Sequence, residues 1–447
     1  MLPAARYMTP LDFLRWYEFD ERILQGTYFP TAPLQVEEGD RVGVVLLSGG
    51  GPETLDDVEP FLYNCYMDPT RYDLPLGGRL RHWGCQAAAS YRAPSVRDDY
   101  ELIGGGSPLT RLTREQADSL QGHLNEQFGE PTGIDFRTYV AMRHWHPFSE
   151  AAAAQMEAEG VDQVVLLPLN PQYSKTTSGS SLARWKALEE IESVPSWPTT
   201  TVLEYAANPK FVRALSERID EGLQRFPRDR REDVRLLFSA QGAALSGQQR
   251  REDPYCCLVH STVERVMDYR GRDRPFRTSF QEASGLRSGL TPTTMEALGD
   301  WASAGADAVL VVPVAFVADH FETNFVLDIK VREAAEAAGI HHFEVTSALN
   351  THPLFIQGLG EATVAQLELP VDVNQLRVGG DGLSQDYPLR PLDDLPRHQT
   401  HAGEAHCPAC GGSASARRWT IANEAPDADA VQGRSGPADV EEASQSS

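Results

Sequence analysis

From residue 41 onward the chain alternates two apolar patterns. Short runs in which nearly every position is apolar, at 42–47, 138–142, 164–169 and 201–205, are each followed by a helix-like segment. After Asn208 the rhythm restarts, with runs at 234–239, 275–280, 308–317 and 342–346. A run without polar alternation reads as a strand covered on both faces, and strands alternating with helices read as parallel, because parallel neighbours need a crossover connection. The pattern predicts an α/β protein of two Rossmann-like domains, 41–207 and 208–350, each a four-stranded parallel sheet flanked by helices. Before them lies an N-terminal helical extension, 1–40: Thr9 suits an N-cap, Pro10 the first turn, and Leu11, Leu14, Phe19 and Ile23 recur at helical spacing over 9–25. After them the amphipathic segment Pro353 to Leu367 predicts a closing helix within 351–370.

Beyond residue 370 the periodicity fades. From Asp393 to Ser447 nine acidic residues face four arginines among Gly, Ala, Ser and Pro, which predicts a mostly disordered acidic tail over 371–447. The whole chain of 447 residues has a formal net charge of −24, which disfavours nucleic acid and anionic lipid as partners. No apolar run approaches the roughly 18 residues of a membrane span, and acidic residues among the first apolar positions argue against a signal peptide, so a cytoplasmic location is expected. Six cysteines are too few for a disulfide scaffold, and the adjacent Cys256 and Cys257 suit buried or free thiols.

Candidate chemistry collects where the run 308–317 empties into Asp319, His320 and Glu322. Ligands of open α/β sheets bind at the carboxyl ends of strands. A carboxylate and an imidazole there suit metal ligation, acid/base work, or a plain helix start with Asp319 as its N-terminal anion. The glycines at 49–51 follow the first strand, but the stretch lacks the Lys-Ser/Thr of a P-loop and the spacing of a dinucleotide fingerprint, so it is weak as a nucleotide site. His144 and His146 flank Trp145 with no third ligand in sequence, which favours packing over metal. Cys407 and Cys410, in HCPACGG, form half of a zinc knuckle.

Six stretches in order carry a resemblance: SGGGPETLDDVEPFLYNCYMDP, RAPSVRDDYELIGGGSPLTRLT, AMRHWHPFSEA, LLPLNPQYSKTTSGSS, LLFSAQGAALS with EDPY, and FVADHFETNFVLD. Together they resemble the ferrochelatase family over roughly residues 41–368. The resemblance implies the chelatase fold, with a porphyrin in the cleft between the two domains, and insertion of ferrous iron into it in haem biosynthesis. Iron is then a substrate, and no resident cofactor is required. The porphyrin, protoporphyrin IX or coproporphyrin III, must lose two pyrrole protons, so a base is needed. The family places a glutamate in a motif present here as His320-Phe321-Glu322-Thr323, and a histidine where this chain has Gln241. Glu322, His320 and Gln241 are therefore the candidate catalytic positions, with Glu322 and Gln241 at the metal. Arg92, Tyr100, Ser107, Arg143, His144 and Ser181 match positions that line the family's substrate pocket.

Three departures matter. An amide cannot take up a proton near neutral pH, so Gln241 implies a slow enzyme or, alternatively, a catalytically impaired porphyrin- or haem-binding homologue. Acids that the family commonly repeats four and eight residues after the glutamate are here Val326 and Lys330. Lys175 stands where some members place a cluster cysteine, so a [2Fe–2S] centre is not expected, and Cys407 and Cys410 remain candidates only for zinc. A monomer or homodimer is expected.

Overall fold

The computed structural model describes residues 7–370 apart from 73, 75, 244–252 and 283–288. The tail, with its expected disorder and the candidate ligands Cys407 and Cys410, lies outside the described residues.

Among the described residues ten strands run in chain order: β1 (Leu34–Gln35), β2 (Arg41–Ser48), β3 (Asp135–Met142), β4 (Gln163–Pro168), β5 (Thr199–Thr201), β6 (Arg235–Ala240), β7 (Phe276–Phe280), β8 (Ala308–Pro313), β9 (His342–Val345) and β10 (Leu367–Glu368). They build two four-stranded sheets, ordered β3-β2-β4-β5 and β7-β6-β8-β9. Every ladder in both is parallel. The two sheets share one topology: the first strand sits inside, the second on one side of it, and the third and fourth on the other. Strand order thus reverses beside β2 and again beside β6, and such switch points leave a crevice at the carboxyl ends of the strands.

The expected run at 201–205 is a strand only as far as Thr201. Val202 N–H still donates to the Leu166 carbonyl of β4, after which the chain leaves the sheet and Tyr205 N–H donates to the Pro171 carbonyl; Val202, Leu203 and Tyr205 are all buried, so their apolarity reports burial more than strand pairing. Likewise the run 308–317 ends its pairing at Pro313, and Val314 to Ala318 continue as buried irregular backbone.

The N-terminal extension also departs from one helix over 9–25. It forms Pro10–Trp16, begun by a reciprocal Thr9–Asp12 capping box, and a separate turn Arg22–Gln25. The break has a local cause: the Asp20 carboxylate accepts from the Arg22 backbone N–H at 2.9 Å, a turn that competes with the helix. The extension ends in β1, which pairs with β10 (Leu34 beside Leu367) and ties the two ends of the described chain together. The closing helix is Pro353–Val364.

One hydrophobic cluster joins Val44 and Leu46 of the first sheet, Phe238 and Leu310 of the second, and Phe355 and Leu359 of the closing helix. Asn208, where the sequence rhythm restarts, is wholly buried at the seam. Its side chain caps Pro209–Gln224 by accepting from the backbone N–H of Lys210 and Phe211, and it donates to Glu361 of the closing helix at 3.0 Å. Caps of this kind are worth ~1 kcal/mol.

Candidate active site

The carboxyl ends of both sheets face one cleft of about 860 Å³, a size suited to a single flat ligand. Arg92, Tyr100, Ser107, Arg143, His144 and Ser181 line it from the first sheet and its helices; Gln241, His320 and Glu322 line it from the second. All nine positions singled out in the sequence therefore meet in one place. Asp319 is not among the lining residues; its carboxylate holds the loop at 348–350 by accepting from Ala348 N–H at 3.0 Å and Asn350 Nδ2 at 2.7 Å.

Two glycine positions show why the surrounding loops need that residue. A Cβ at Gly106 would collide with the Glu53 backbone, and one at Gly242 with the backbone of Gln281. The glycines let loops press against each other at the cleft floor, a packing role.

On the first-sheet wall, Asp68 is the organising residue, and its side chain is wholly buried. Its Oδ1 lies 3.1 Å from Arg143 Nη2, and its Oδ2 lies 2.9 Å from His144 Nε2 and accepts from Ser180 Oγ at 2.5 Å. Arg143 Nε also donates to Ser180 Oγ at 2.7 Å, and its guanidinium lies 4.6 Å from the centre of the Phe13 ring in the N-terminal extension. Burial by itself would raise the Asp68 carboxyl, but Arg143 and the hydrogen bonds from His144 and Ser180 hold it well below the usual carboxylate range. Burial pushes the His144 imidazole down to about 4 although Asp68 pulls it the other way. His144 is thus neutral, with Nε2–H donating to Asp68. His146 does something different, packing edge-on to Phe148 at 4.5 Å between centroids, so the two histidines form no common site.

The second-sheet wall is less satisfied. His320 Nδ1 faces the Ala318 carbonyl at 3.1 Å and must donate to it, which leaves Nε2 as an acceptor. Burial pushes this imidazole to about 4, so it too stays neutral. Burial raises the Glu322 carboxyl, against the opposing charges of Arg71 and Lys330. Glu322 opens a π-helix, Glu322–Val331, in place of the α-helix that the four-and-eight spacing assumes. Long π segments are rare and mark functional sites. Val326 and Lys330 both face the cleft, and Lys330 Nζ lies 3.9 Å from Asp99 Oδ2. Gln241 accepts from the Tyr255 hydroxyl through its backbone carbonyl at 3.1 Å. Beside it, Gln281 is buried with Nε2 unpartnered among the described residues.

The ferrochelatase family profile matches residues 41–367, nearly all of the described chain. This chain belongs to the ferrochelatase family. A ferrochelatase of Cyanothece sp. is 38% identical over 334 residues, covering 74% of this chain and 84% of its own. One of Synechococcus sp. is 39% identical over 335 residues, with 74% and 84% covered. That of Gloeobacter violaceus is 38% identical over 330 residues, covering 73% of this chain and 98% of its own. A solved structure of SirB from Bacillus subtilis with Fe3+ aligns over 73% of this chain and 96% of its own at 10% identity, with a TM-score of 0.43, too distant to bear on mechanism. By family the chain is a metal chelatase with two parallel α/β sheets.

Sequence reasoning missed Asp68, Arg71 and Phe321. Asp68-Pro69-Thr70 has the composition of an Asx turn, and the Asp68 carboxylate does accept from Thr70 N–H at 2.9 Å. Nothing local announces its pairing with Arg143 and His144, more than seventy residues away. Phe321 reaches from the second half to stack on Tyr100 at 4.7 Å, closing the cleft from both sides.

Among the described residues no group of three or more His, Cys, Asp or Glu could hold a metal ion; Cys65 and Cys85 are buried free thiols, and Cys256 and Cys257 are buried as well. No described helix is long and apolar enough to cross a membrane.

Proposed function

We propose that this chain inserts ferrous iron into a porphyrin held in the cleft, and does so slowly because Gln241 occupies the position of a histidine. The observation that carries the reading is the meeting of Gln241, His320 and Glu322 on one wall, opposite the Asp68 network. Metallation replaces two pyrrole N–H protons with one Fe2+. Glu322, its carboxyl raised by burial, is the best proton acceptor on that wall. Gln241 orients a pyrrole or an iron-bound water by hydrogen bonding but takes up no proton. The neutral Nε2 of His320 supplies a lone pair to the metal or to a proton in transit. The expected cytoplasmic location and monomeric or homodimeric state go with this reading.

Anaerobic incubation of the purified protein with Fe2+ and protoporphyrin IX or coproporphyrin III, followed by absorption, tests it. Slow conversion to the metalloporphyrin spectrum is expected, dependent on protein concentration. A second reading has its own support: with Gln241, Val326 and Lys330 replacing a base and two acids, the chain would bind porphyrin without metallating it. Saturable binding without conversion over many hours would select that reading.

A further inference from the structure

We infer that Arg71 is an anchor for a carboxylate of the ring substrate, and that it makes the cleft prefer rings carrying more carboxylates than Arg92 alone can engage. The inference rests on the porphyrin reading above and adds to it a specificity residue. Arg71 lines the cleft, yet it has no hydrogen bond and no ion pair with any described residue. Glu322, whose charge it feels, is not within ion-pair distance, and the other acid it feels, Asp68, is already shared by Arg143 and His144. A guanidinium drawn away from bulk water without an anion is unfavourable, and its planar fork matches a carboxylate.

This is not a loose surface arginine, because the turn that carries it is held from both sides. Asp68 Oδ1 accepts from Thr70 N–H at 2.9 Å and Thr70 Oγ1 at 2.7 Å. Buried Arg81 donates to the carbonyls of Tyr66, Asp68 and Tyr72 at 3.2, 3.1 and 2.7 Å, bracketing Arg71. The turn is thereby preorganised, which lowers the ordering cost of binding. Arg92 on the neighbouring helix is likewise without a hydrogen bond or ion pair among the described residues, and both guanidinium groups act on the Tyr66 hydroxyl. Two unmatched cations on one wall, in a chain of net charge −24, describe a ligand with several anionic groups.

Fluorescence quenching with coproporphyrin III (four carboxylates), protoporphyrin IX (two) and coproporphyrin tetramethyl ester (none) tests this on the full chain. The native protein should bind the tetra-acid tightest. Arg71→Met should weaken that binding about tenfold or more and erase the preference over protoporphyrin IX, with Arg71→Lys between, since charged hydrogen bonds of this kind are worth that much. Arg92→Met should weaken both acids. As a measurement independent of any variant, added salt should weaken native binding of the tetra-acid far more than of the ester. Preference for the di-acid in the native protein, or an unchanged preference in Arg71→Met, overturns the role of Arg71 while leaving the porphyrin reading intact. Absence of saturable binding of every porphyrin removes the porphyrin reading, and this inference with it.

Discussion

The two walls of the cleft come from sheets of the same strand order, yet their electrostatics differ. On the first wall Asp68 gathers Arg143, His144 and Ser180 into a closed network in which each charge has a partner. On the second, Glu322 is half-buried with no ion pair among the described residues, His320 keeps a lone pair, and Gln281 has an amide unpartnered among the described residues. A closed network fixes geometry and resists titration, whereas an unsatisfied wall holds groups ready to change protonation or ligand. One topology has thus been used once for a rigid floor and once for the chemistry.

The comparison breaks most sharply at Glu322. Glu322→Gln should lower metallation by about 10² to 10⁴ while porphyrin binding persists, measured by initial rates beside fluorescence titration. A rate that survives would move the chemistry to the first wall.

On that wall, Asp68→Asn should instead destabilise the fold by about 3–5 kcal/mol in urea unfolding, because Arg143 stays buried without its counter-charge. A loss of activity with unchanged stability would show that Asp68 belongs to the chemistry.

Gln241→His should raise the metallation rate, by about 10² if an imidazole there serves as general base, with little change in porphyrin affinity. A slower variant would mean that the cleft has adapted to the amide.

The smallest effect is a pH dependence. His123, His144 and His320 are each pushed by burial to about 4 in the folded chain, against about 6.5 in an unfolded one. Between those values the unfolded state binds more protons, so these groups make stability rise with pH from about 4 to about 6.5. Glu204, raised by burial to about 7, opposes them over nearly the same window, as does Glu322 in direction. His352, lowered by burial, joins the histidines, and Asp99 and Glu189, raised by burial, join the opposing carboxyls, so the two sets offset each other and the His144 contribution is read from a variant; Asp68 adds a further loss below about 3.9. Urea midpoints measured across pH 4–7 should therefore rise less, or fall more, with pH in His144→Asn than in the native chain; an identical slope would contradict a neutral His144.

Much of this was legible in the chain. Apolar runs marked the inner strands β2, β4, β6 and β8 most clearly, because a parallel strand covered on both faces has no polar alternation to hide it, whereas the edge strands Thr199–Thr201 and Phe276–Phe280 carry polar residues and the run at 201–205 met the first of them only at Thr201. The motifs carry nine residues that the fold gathers at one cleft. Errors fell where burial and pairing part company, at Val202 to Tyr205, and where a side chain competes with the backbone, at Asp20.

What the sequence determined by itself is the part encoded locally: strand and helix periodicity, the Thr9 cap, and the identity of Gln241 at a position where an imidazole was expected. Only the tertiary structure decided which charges are neutralised. Asp68, Arg143 and Ser180 lie far apart in the chain, and the Asp68–Arg143 ion pair with the Ser180 hydrogen bond exists only because three separate segments converge on the first wall of the cleft. Arg71 and Arg143 look alike in sequence. Arg143 is paired and Arg71 has no ion pair among the described residues, because charge compensation depends on distance in space, and Coulomb attraction falls off over a few ångströms and leaves no trace in the local pattern.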